Sequence, residues 1–182
     1  MENLNEIKKV AEVCPCCGAS TKLHWHRLNK GLVNVLVKVK KKVMFKKRNK
    51  ICISELGLNT TEFCNFQKLR YHALVAKCRD AEGKRIGGHW LLTKRGNQFC
   101  KGLIQIPEKV GTFRNIIRKK SMEVVGINDV LKGNDLPYWD SIDEYGFEFF
   151  DISDIGENLW DENNQSKLDI WNGWNTQNIS VS

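Results

Sequence analysis

Hydrophobic side chains recur at helical spacing around and after Asn29 and predict a first long helix. Asn29 can serve as its N-cap, since its side-chain oxygen can accept hydrogen bonds from the first backbone N–H groups. We expect this helix to end near Met44. Its apolar members span an arc of about 100°, the width of a core-facing stripe. They are Leu28, Leu32, Val35, Leu36, Val39 and Val43. The lysines that lie off this stripe are Lys30, Lys38, Lys41 and Lys42.

A second amphipathic segment follows a short helical turn over 51–56 that Gly57 closes. Asn59, followed three positions later by Glu62, has the spacing of a capping box. This predicts a helix from residue 60 to residue 74. Its apolar side consists of Phe63, Phe66, Leu69, Ala73 and Leu74. Its opposite side carries hydrogen-bonding and cationic groups, namely Thr61, Asn65, Lys68 and His72.

Extended segments come next. Residues 75–78 predict a strand, 79–88 a flexible hairpin tip, and 89–92 the returning strand. Thr93 is placed to cap a short helix over 94–102. Further strands are predicted over 103–106, 112–118, 122–125 and 147–152. From about residue 156 the chain is polar and rich in asparagine, and we expect it to be weakly ordered or to fold against a partner.

Three helical segments followed by a two-stranded hairpin have the order of a winged helix. ELGLN (55–59) supplies a short second helix and turn, and KLRYHALV (68–75) ends the next helix with an exit into a strand. GHWLLTKRGNQF (88–99) contains a Leu-Thr-x-x-Gly turn. Over 28–102 the chain therefore resembles the winged helix-turn-helix superfamily, broadly of the MarR-like kind. One departure is His72-Ala73, which stands where that family usually has a glycine.

The sequence therefore predicts an α+β protein in four segments. A lead-in with a small Cys/His knuckle (1–27) precedes the winged-helix domain (28–102), and a β-rich extension (103–155) leads to an acidic, Trp-containing tail (156–182). The Cys-x-x-Cys start also resembles that of uncharacterised phage or mobile-element proteins, which says nothing about activity.

The charge is divided unevenly along the chain. Residues 1–134 carry 28 of the 29 lysines and arginines against 10 acids, a net charge of +18, whereas residues 135–182 carry Lys167 against 11 acids, a net charge of −10. A basic body favours a polyanionic partner, nucleic acid first; the alternative is a solvated surface that keeps the protein soluble. No stretch approaches 18 uninterrupted apolar residues and the start lacks a secretory apolar region, so we expect a cytoplasmic protein without a membrane span.

The winged-helix resemblance implies a set of DNA contacts. The helix starting at residue 60 would enter the major groove of double-stranded DNA. Asn65 would pair with adenine, Lys68 would approach guanine or phosphate, and Thr61 would reach a phosphate or a thymine methyl. His72 completes the polar face. Phosphate contacts would come from the wing and the first helix, through Arg79, Lys84, Arg85, Lys38, Lys41 and Lys42. The alternative is that these side chains only form a solvated face.

The Cys/His segment suggests a structural zinc ion. Cys14-Pro-Cys-Cys17-Gly places two thiolates three positions apart around a turn, which suits one edge of a tetrahedral site. No second Cys-x-x-Cys follows, so the remaining ligands would be His24 and His26, which share one face of a predicted strand. The alternative is reduced thiols without metal. The isolated cysteines, Cys52, Cys64, Cys78 and Cys100, are predicted to be small core residues.

These features together predict a non-enzymatic double-stranded DNA-binding protein that acts in transcriptional or mobile-element control. The first alternative is an adaptor that uses the winged helix and the acidic, Trp-containing tail to bind another protein. The second is a metal-dependent nuclease of the HNH type, suggested by LHWHRLN (23–29). A homodimer is compatible with the DNA-binding prediction.

Overall fold

The computed structural model describes residue 18, residues 22–80, residue 82 and the segments 84–113 and 115–132. These residues form a mixed α+β fold with small antiparallel sheets. Its helices are α1 (Lys30–Lys46), α2 (Thr60–Phe66), α3 (Lys68–Tyr71), α4 (Lys94–Cys100) and α5 (Ile127–Leu131). Its strands are β1 (His24–Arg27), β2 (Lys50–Cys52), β3 (Val75–Arg79), β4 (Arg85–Leu92), β5 (Ile106–Pro107), β6 (Lys109–Phe113), β7 (Ile116–Lys120) and β8 (Val124–Val125).

Several predictions fall outside the described residues. They are the lead-in with Cys14 and Cys17, the strand predicted over 147–152, and the acidic tail. Within the described part of the chain, no helix is long and apolar enough to cross a membrane.

The predicted apolar stripe of α1 is confirmed, because all six of its members are buried. Asn29 is the N-cap, and its Oδ1 accepts a hydrogen bond from the Leu32 amide at 3.0 Å. The helix ends at Lys46, two residues beyond the predicted end, and Lys47 terminates it in the left-handed conformation with φ 49°. Burial of the stripe against α2, α4 and α5 places α1 in the core.

The segment over 51–56 divides into two elements. Its first residues pair in β2 with β4, and Ile53–Leu56 forms a 3-10 turn. Gly57 follows with φ 60°, a left-handed conformation that glycine adopts without steric cost, so the predicted closure is confirmed. The capping box is confirmed as well: the Glu62 amide donates to Asn59 Oδ1 at 2.9 Å, and the Asn59 amide donates to Glu62 Oε2 at 3.0 Å.

The single helix predicted over 60–74 is wrong in its extent. Gln67 interrupts it between α2 and α3, and the helical chain ends at Tyr71. Ala73 then adopts φ 59°, and the amide of Leu74 donates to the carbonyl of Leu69 at 3.1 Å. This 6→1 bond is that of a Schellman motif. Alanine therefore occupies a left-handed position, which glycine adopts at lower steric cost.

The apolar side of that segment is confirmed only in part. Phe66, Leu69 and Leu74 are buried in the core. Phe63 is 54% exposed, so its predicted place in the core is wrong.

The hairpin β3–β4 joins β2 in a three-stranded antiparallel sheet of order β2-β4-β3. The returning strand is longer than predicted and starts at Arg85. The Asn49 amide clamps Leu92: its Nδ2 donates to the Leu92 carbonyl, and its Oδ1 accepts from the Leu92 amide, each at 2.9 Å. Thr93 caps α4 as predicted, since its Oγ1 accepts from the Gly96 amide at 2.9 Å.

The second sheet, of order β1-β6-β7, unites segments that the sequence assigned to separate units. Trp25 pairs with Gly111, so this sheet joins residues on both sides of the predicted boundaries at 27 and 102. The strand predicted over 112–118 is a hairpin instead, with Asn115 at φ 65° in its turn. The strands predicted over 103–106 and 122–125 shorten to β5 and β8, which pair with each other.

Candidate nucleic-acid interface

An open groove of about 460 Å³ lies between β1, the start of α1 and the polar side of α2 and α3. It forms where strand β1, at the edge of its sheet, passes the helices. Its lining residues are Trp25, His26, Arg27, Asn29, Gly31, Leu32, Val35, Thr61, Glu62, Asn65 and Lys68.

The groove brings together residues that the sequence predicted for different purposes. Thr61, Asn65 and Lys68 from the predicted DNA-reading face line one side of it, and His26 from the predicted zinc site lines the other. Asn65 is already engaged, because its Nδ2 donates to the Thr61 carbonyl at 2.8 Å. One amide proton therefore remains, and because a contact to adenine needs only one amide proton together with the side-chain oxygen, this hydrogen bond is compatible with the predicted contact.

Lys38 was predicted to contact phosphate, and the structure places it in an ion pair instead. Its Nζ donates to both carboxylate oxygens of Glu62 at 2.8 Å. This pairing with Lys38, followed by the hydrogen bond from the Asn59 amide, lowers the pKa of Glu62. Lys38 thus joins α1 to the cap of α2.

The other predicted phosphate contacts are placed unevenly. Lys41 is exposed, and Lys42 is half-buried with its Nζ 6.0 Å from the centre of the Phe45 ring. Lys84 is exposed near the tip of the hairpin. Arg79 and Arg85 pair opposite each other in β3 and β4, and the structure describes only their backbone.

The prediction that His72 lies on the outer polar face is wrong. Only 3% of it is exposed, since it lies just after the last residue of α3 and close to His26, Pro107 and Arg95 in the interior. Burial lowers the pKa of His72 to about 4, although the backbone of His26 and of Pro107 favours the protonated ring. Neither ring nitrogen has a hydrogen-bond partner of good geometry. His72 is therefore held neutral and cannot contact DNA.

His26 links the second sheet to α3. Its ring stacks on that of Tyr71 with 4.5 Å between centroids, and its Nε2 lies 2.8 Å from Thr112 Oγ1. Burial, followed by the nearby charges of Lys68 and His24, lowers the pKa of His26. Tyr71 in turn donates its hydroxyl to Asn115 Oδ1 at 2.9 Å.

The predicted zinc ligands are only half described. His24 and His26 lie on the same face of β1, as predicted from the alternation of a strand. Among the described residues, no group of three or more His, Cys, Asp or Glu side chains is arranged to hold a metal ion.

The isolated cysteines divide between core and surface. Cys78 and Cys100 are buried as predicted, and burial raises the pKa of the Cys78 thiol to about 12, so it stays protonated. The prediction is wrong for Cys64, which is exposed on α2, and Cys52 is only half-buried.

Sequence reasoning missed three residues at or beside the groove. Trp25 is 50% exposed, and Arg27 has 67% of its side chain exposed and forms an ion pair with Glu108 at 2.7 Å. The alternation of HWHR places these two on the strand face opposite the histidines, which is the signal that was available. Gln67 is exposed at the helix break, which no periodic pattern marked.

Comparisons of this chain with protein-family models, with curated proteins and with solved structures gave no match.

Proposed function

We propose that this protein has a winged-helix core that binds double-stranded DNA. The order of the first sheet carries the proposal: α1, β2, a helical turn, α2–α3 and the hairpin β3–β4 follow one another, and the strands assemble as β2-β4-β3. In this arrangement the segment before the hairpin reads DNA and the hairpin is the wing. The clamp by Asn49 ties the base of the hairpin to the start of β2, and the Thr93 hydroxyl ties it to the turn after α3, since it donates to the Ala73 carbonyl at 2.8 Å.

The contact surface differs from that predicted by periodicity. α2 has seven residues, about 10 Å of helix, which spans about three base pairs at 3.4 Å each. Its exposed residues and those just after it offer Thr61, Gln67 and Lys68 to base edges and phosphates. Gln67 is exposed and adds a second amide side chain beside Asn65, because a glutamine side chain can also pair with adenine. Lys41, Lys42 and Lys84 would supply phosphate contacts.

This proposal is tested by binding of the full chain to a fluorescein-labelled 30-base-pair duplex of random sequence, titrated with salt. Each phosphate contact steepens the fall of log K with log salt concentration by about 0.9. Lys68→Gln should therefore reduce that slope by about 0.9, whereas the control Lys132→Gln, at the end of α5, should leave it unchanged. Gln67→Ala should blunt the sequence preference obtained by selection from a randomised duplex library. Absence of duplex binding at low salt would overturn the proposal.

A structural zinc ion remains a second proposal. The chemistry of the set Cys14, Cys17, His24 and His26 suits zinc, and the shared face of the two histidines supports it. The bond between His26 Nε2 and Thr112 leaves Nδ1 as the ligating nitrogen. Zinc at one equivalent in the purified full chain, lost in Cys14→Ser, would support the site, and a zinc-free chain would refute it.

A protein-docking role is the competing function. Phe63 on α2 is 54% exposed, and this favours a protein-docking role because aromatic side chains are enriched at protein interfaces. If Phe63→Ser leaves duplex binding intact, Phe63 lies outside the DNA-binding surface and stays available to contact a protein. The nuclease, the homodimer, the tail-bound partner and the cytoplasmic location remain predictions.

A further inference from the structure

The outer face of the second sheet carries the indole ring of Trp25, which packs on the backbone of the neighbouring strand. Trp25, Gly111 and Lys119 lie in one row across β1, β6 and β7, since Trp25 pairs with Gly111 and Gly111 pairs with Lys119. Paired residues of antiparallel strands point to the same side of a sheet. The next row on that side contains Arg27 paired with Lys109.

The opposite side of this sheet packs on the core at its centre, although His24 at its edge is exposed, so the row of Trp25 faces away from the core. Val110, Thr112 and Ile117 are buried, and Val110 and Ile117 pack with Tyr71 of α3. On the outer side, Lys119 is exposed and 42% of the Lys109 side chain is accessible.

The indole of Trp25 lies over the backbone of Gly111. A Cβ placed on Gly111 would lie 3.3 Å from Trp25 Cζ3 and 3.4 Å from both Cε3 and Cη2. Three ring atoms at nearly equal distance mean that the six-membered ring covers this glycine. Half of Trp25 remains open to solvent although the strand beneath holds it. A flat apolar surface is therefore fixed in place before any ligand arrives.

Basic side chains surround this ring. Arg27, Lys109 and Lys119 lie on the same sheet face, and Glu108 forms ion pairs with Arg27 at 2.7 Å and with Lys109 at 3.6 Å. The three basic side chains and the one carboxylate together give a net charge of +2 beside the indole. The carboxylate also holds the Arg27 guanidinium in position, because it accepts from Arg27 Nε at 2.9 Å.

We propose that this sheet face binds single-stranded nucleic acid, with one base stacked on Trp25 and neighbouring phosphates bound by Arg27, Lys109 and Lys119. An aromatic side chain within a basic surface is the arrangement that binds single strands without strict sequence readout. A duplex keeps its bases stacked on one another and offers Trp25 no free base face. The inference stands on the second sheet and does not depend on the winged helix.

The test measures binding of the full chain to four fluorescein-labelled probes of equal length: dT20, U20, a 20-residue abasic phosphodiester and a 20-base-pair duplex. Trp25→Ala should weaken dT20 binding about tenfold, within the range for one base–aromatic stack. Binding of the abasic strand should not change, because that probe has the phosphates without the bases. Trp25→Phe should retain most of the affinity for dT20.

Two further variants keep the test independent of folding. Gly111→Ala presses a methyl group against the indole and should weaken dT20 binding while far-UV circular dichroism stays native. Lys119→Gln should weaken dT20 and the abasic strand alike and reduce the salt slope by about 0.7, whereas Lys132→Gln should change neither. The ratio of U20 to dT20 affinity identifies which kind of strand the face prefers.

Equal dT20 affinity of Trp25→Ala and the unaltered chain would overturn the inference, and so would an equal loss for dT20 and the abasic probe. Failure of the winged-helix proposal looks different. If the chain does not bind the duplex but binds dT20 in a Trp25-dependent way, only the proposed function falls. If duplex binding depends on Lys68 and dT20 binding is independent of Trp25, only this inference falls.

Discussion

Gly96 sits where α4 packs against the end of α3, and replacing it with alanine should destabilise the fold. A Cβ at this position would lie 2.2 Å from the carbonyl oxygen of Leu74 and 2.9 Å from Leu92 Cδ1. Ordinary van der Waals contact begins near 3.4 Å, so the Leu74 carbonyl would have to move by about 1 Å. That oxygen also accepts the Thr93 amide at 3.2 Å, a hydrogen bond that the movement would strain.

The magnitude follows from these contacts. Overpacking a well-packed site costs about 1–3 kcal/mol, and straining the backbone hydrogen bond adds about 1 kcal/mol. Alanine regains up to about 1 kcal/mol over glycine in a helix interior. With the full helix gain, the free energy of unfolding of Gly96→Ala should therefore fall by about 1–3 kcal/mol, and each kcal/mol lowers the melting temperature of an ordered region of this size by roughly 4–8 °C.

Urea unfolding of the full chain, followed by circular dichroism, measures this change. Gly87→Ala is the matched control, because it lies in β4 and a Cβ there has no heavy atom within 4 Å. The control should remain within about 0.5 kcal/mol of the unaltered chain. Equal midpoints for Gly96→Ala and the unaltered chain, or equal losses in both variants, would refute the packing argument.

Three further predictions concern the same region. Ala73→Gly should raise the free energy of unfolding by about 1 kcal/mol, because glycine relieves the left-handed strain at φ 59°; a loss of stability in urea would contradict this. His72 has its pKa lowered to about 4 in the fold, so its stabilising effect is complete above its unfolded pKa of 6.5 and declines as the pH falls from there through 4. The loss reaches at most about 3 kcal/mol, and His72→Gln should remove most of the pH dependence of the free energy of unfolding between pH 6.5 and 4; an unchanged pH dependence in that variant would contradict this. Lys38→Met should cost less than about 1 kcal/mol, as expected for a partly exposed ion pair, and leave the salt slope of duplex binding unchanged because Lys38 is occupied by Glu62. A reduced salt slope in that variant would instead show that Lys38 contacts DNA phosphate.

The candidate site was predictable to the extent that local spacing determines which side chains share a helix face. Thr61, Asn65 and Lys68 follow from helical periodicity, and all three line the groove. His72 belongs to the same series in sequence, but the left-handed turn at Ala73 ends the series one residue earlier than periodicity requires. Helical periodicity does not predict the residue at which a helix ends, and His72 lies just beyond that residue, so periodicity could not predict its burial.

The opposite wall of the groove was outside the reach of local patterns. Trp25 and Arg27 acquire their positions when β1 pairs with β6, more than 80 residues away along the chain. Lys38 is predicted to contact phosphate because it is basic and lies off the apolar stripe. Its partner Glu62 is 24 residues away along the chain, so no i to i+4 pattern reveals the ion pair.

By itself, the sequence determined the core stripe of α1, the caps at Asn29, Asn59 and Thr93, and the closure at Gly57, since each depends on contacts within a few residues. Only the tertiary structure decided which charges remain available, which histidine is buried, and that the strand after the cysteine segment completes a sheet with the extension. Short-range hydrogen bonds and periodic burial depend on residues that are close in sequence. Ion pairing, desolvation and strand pairing depend on groups that meet only when distant segments pack.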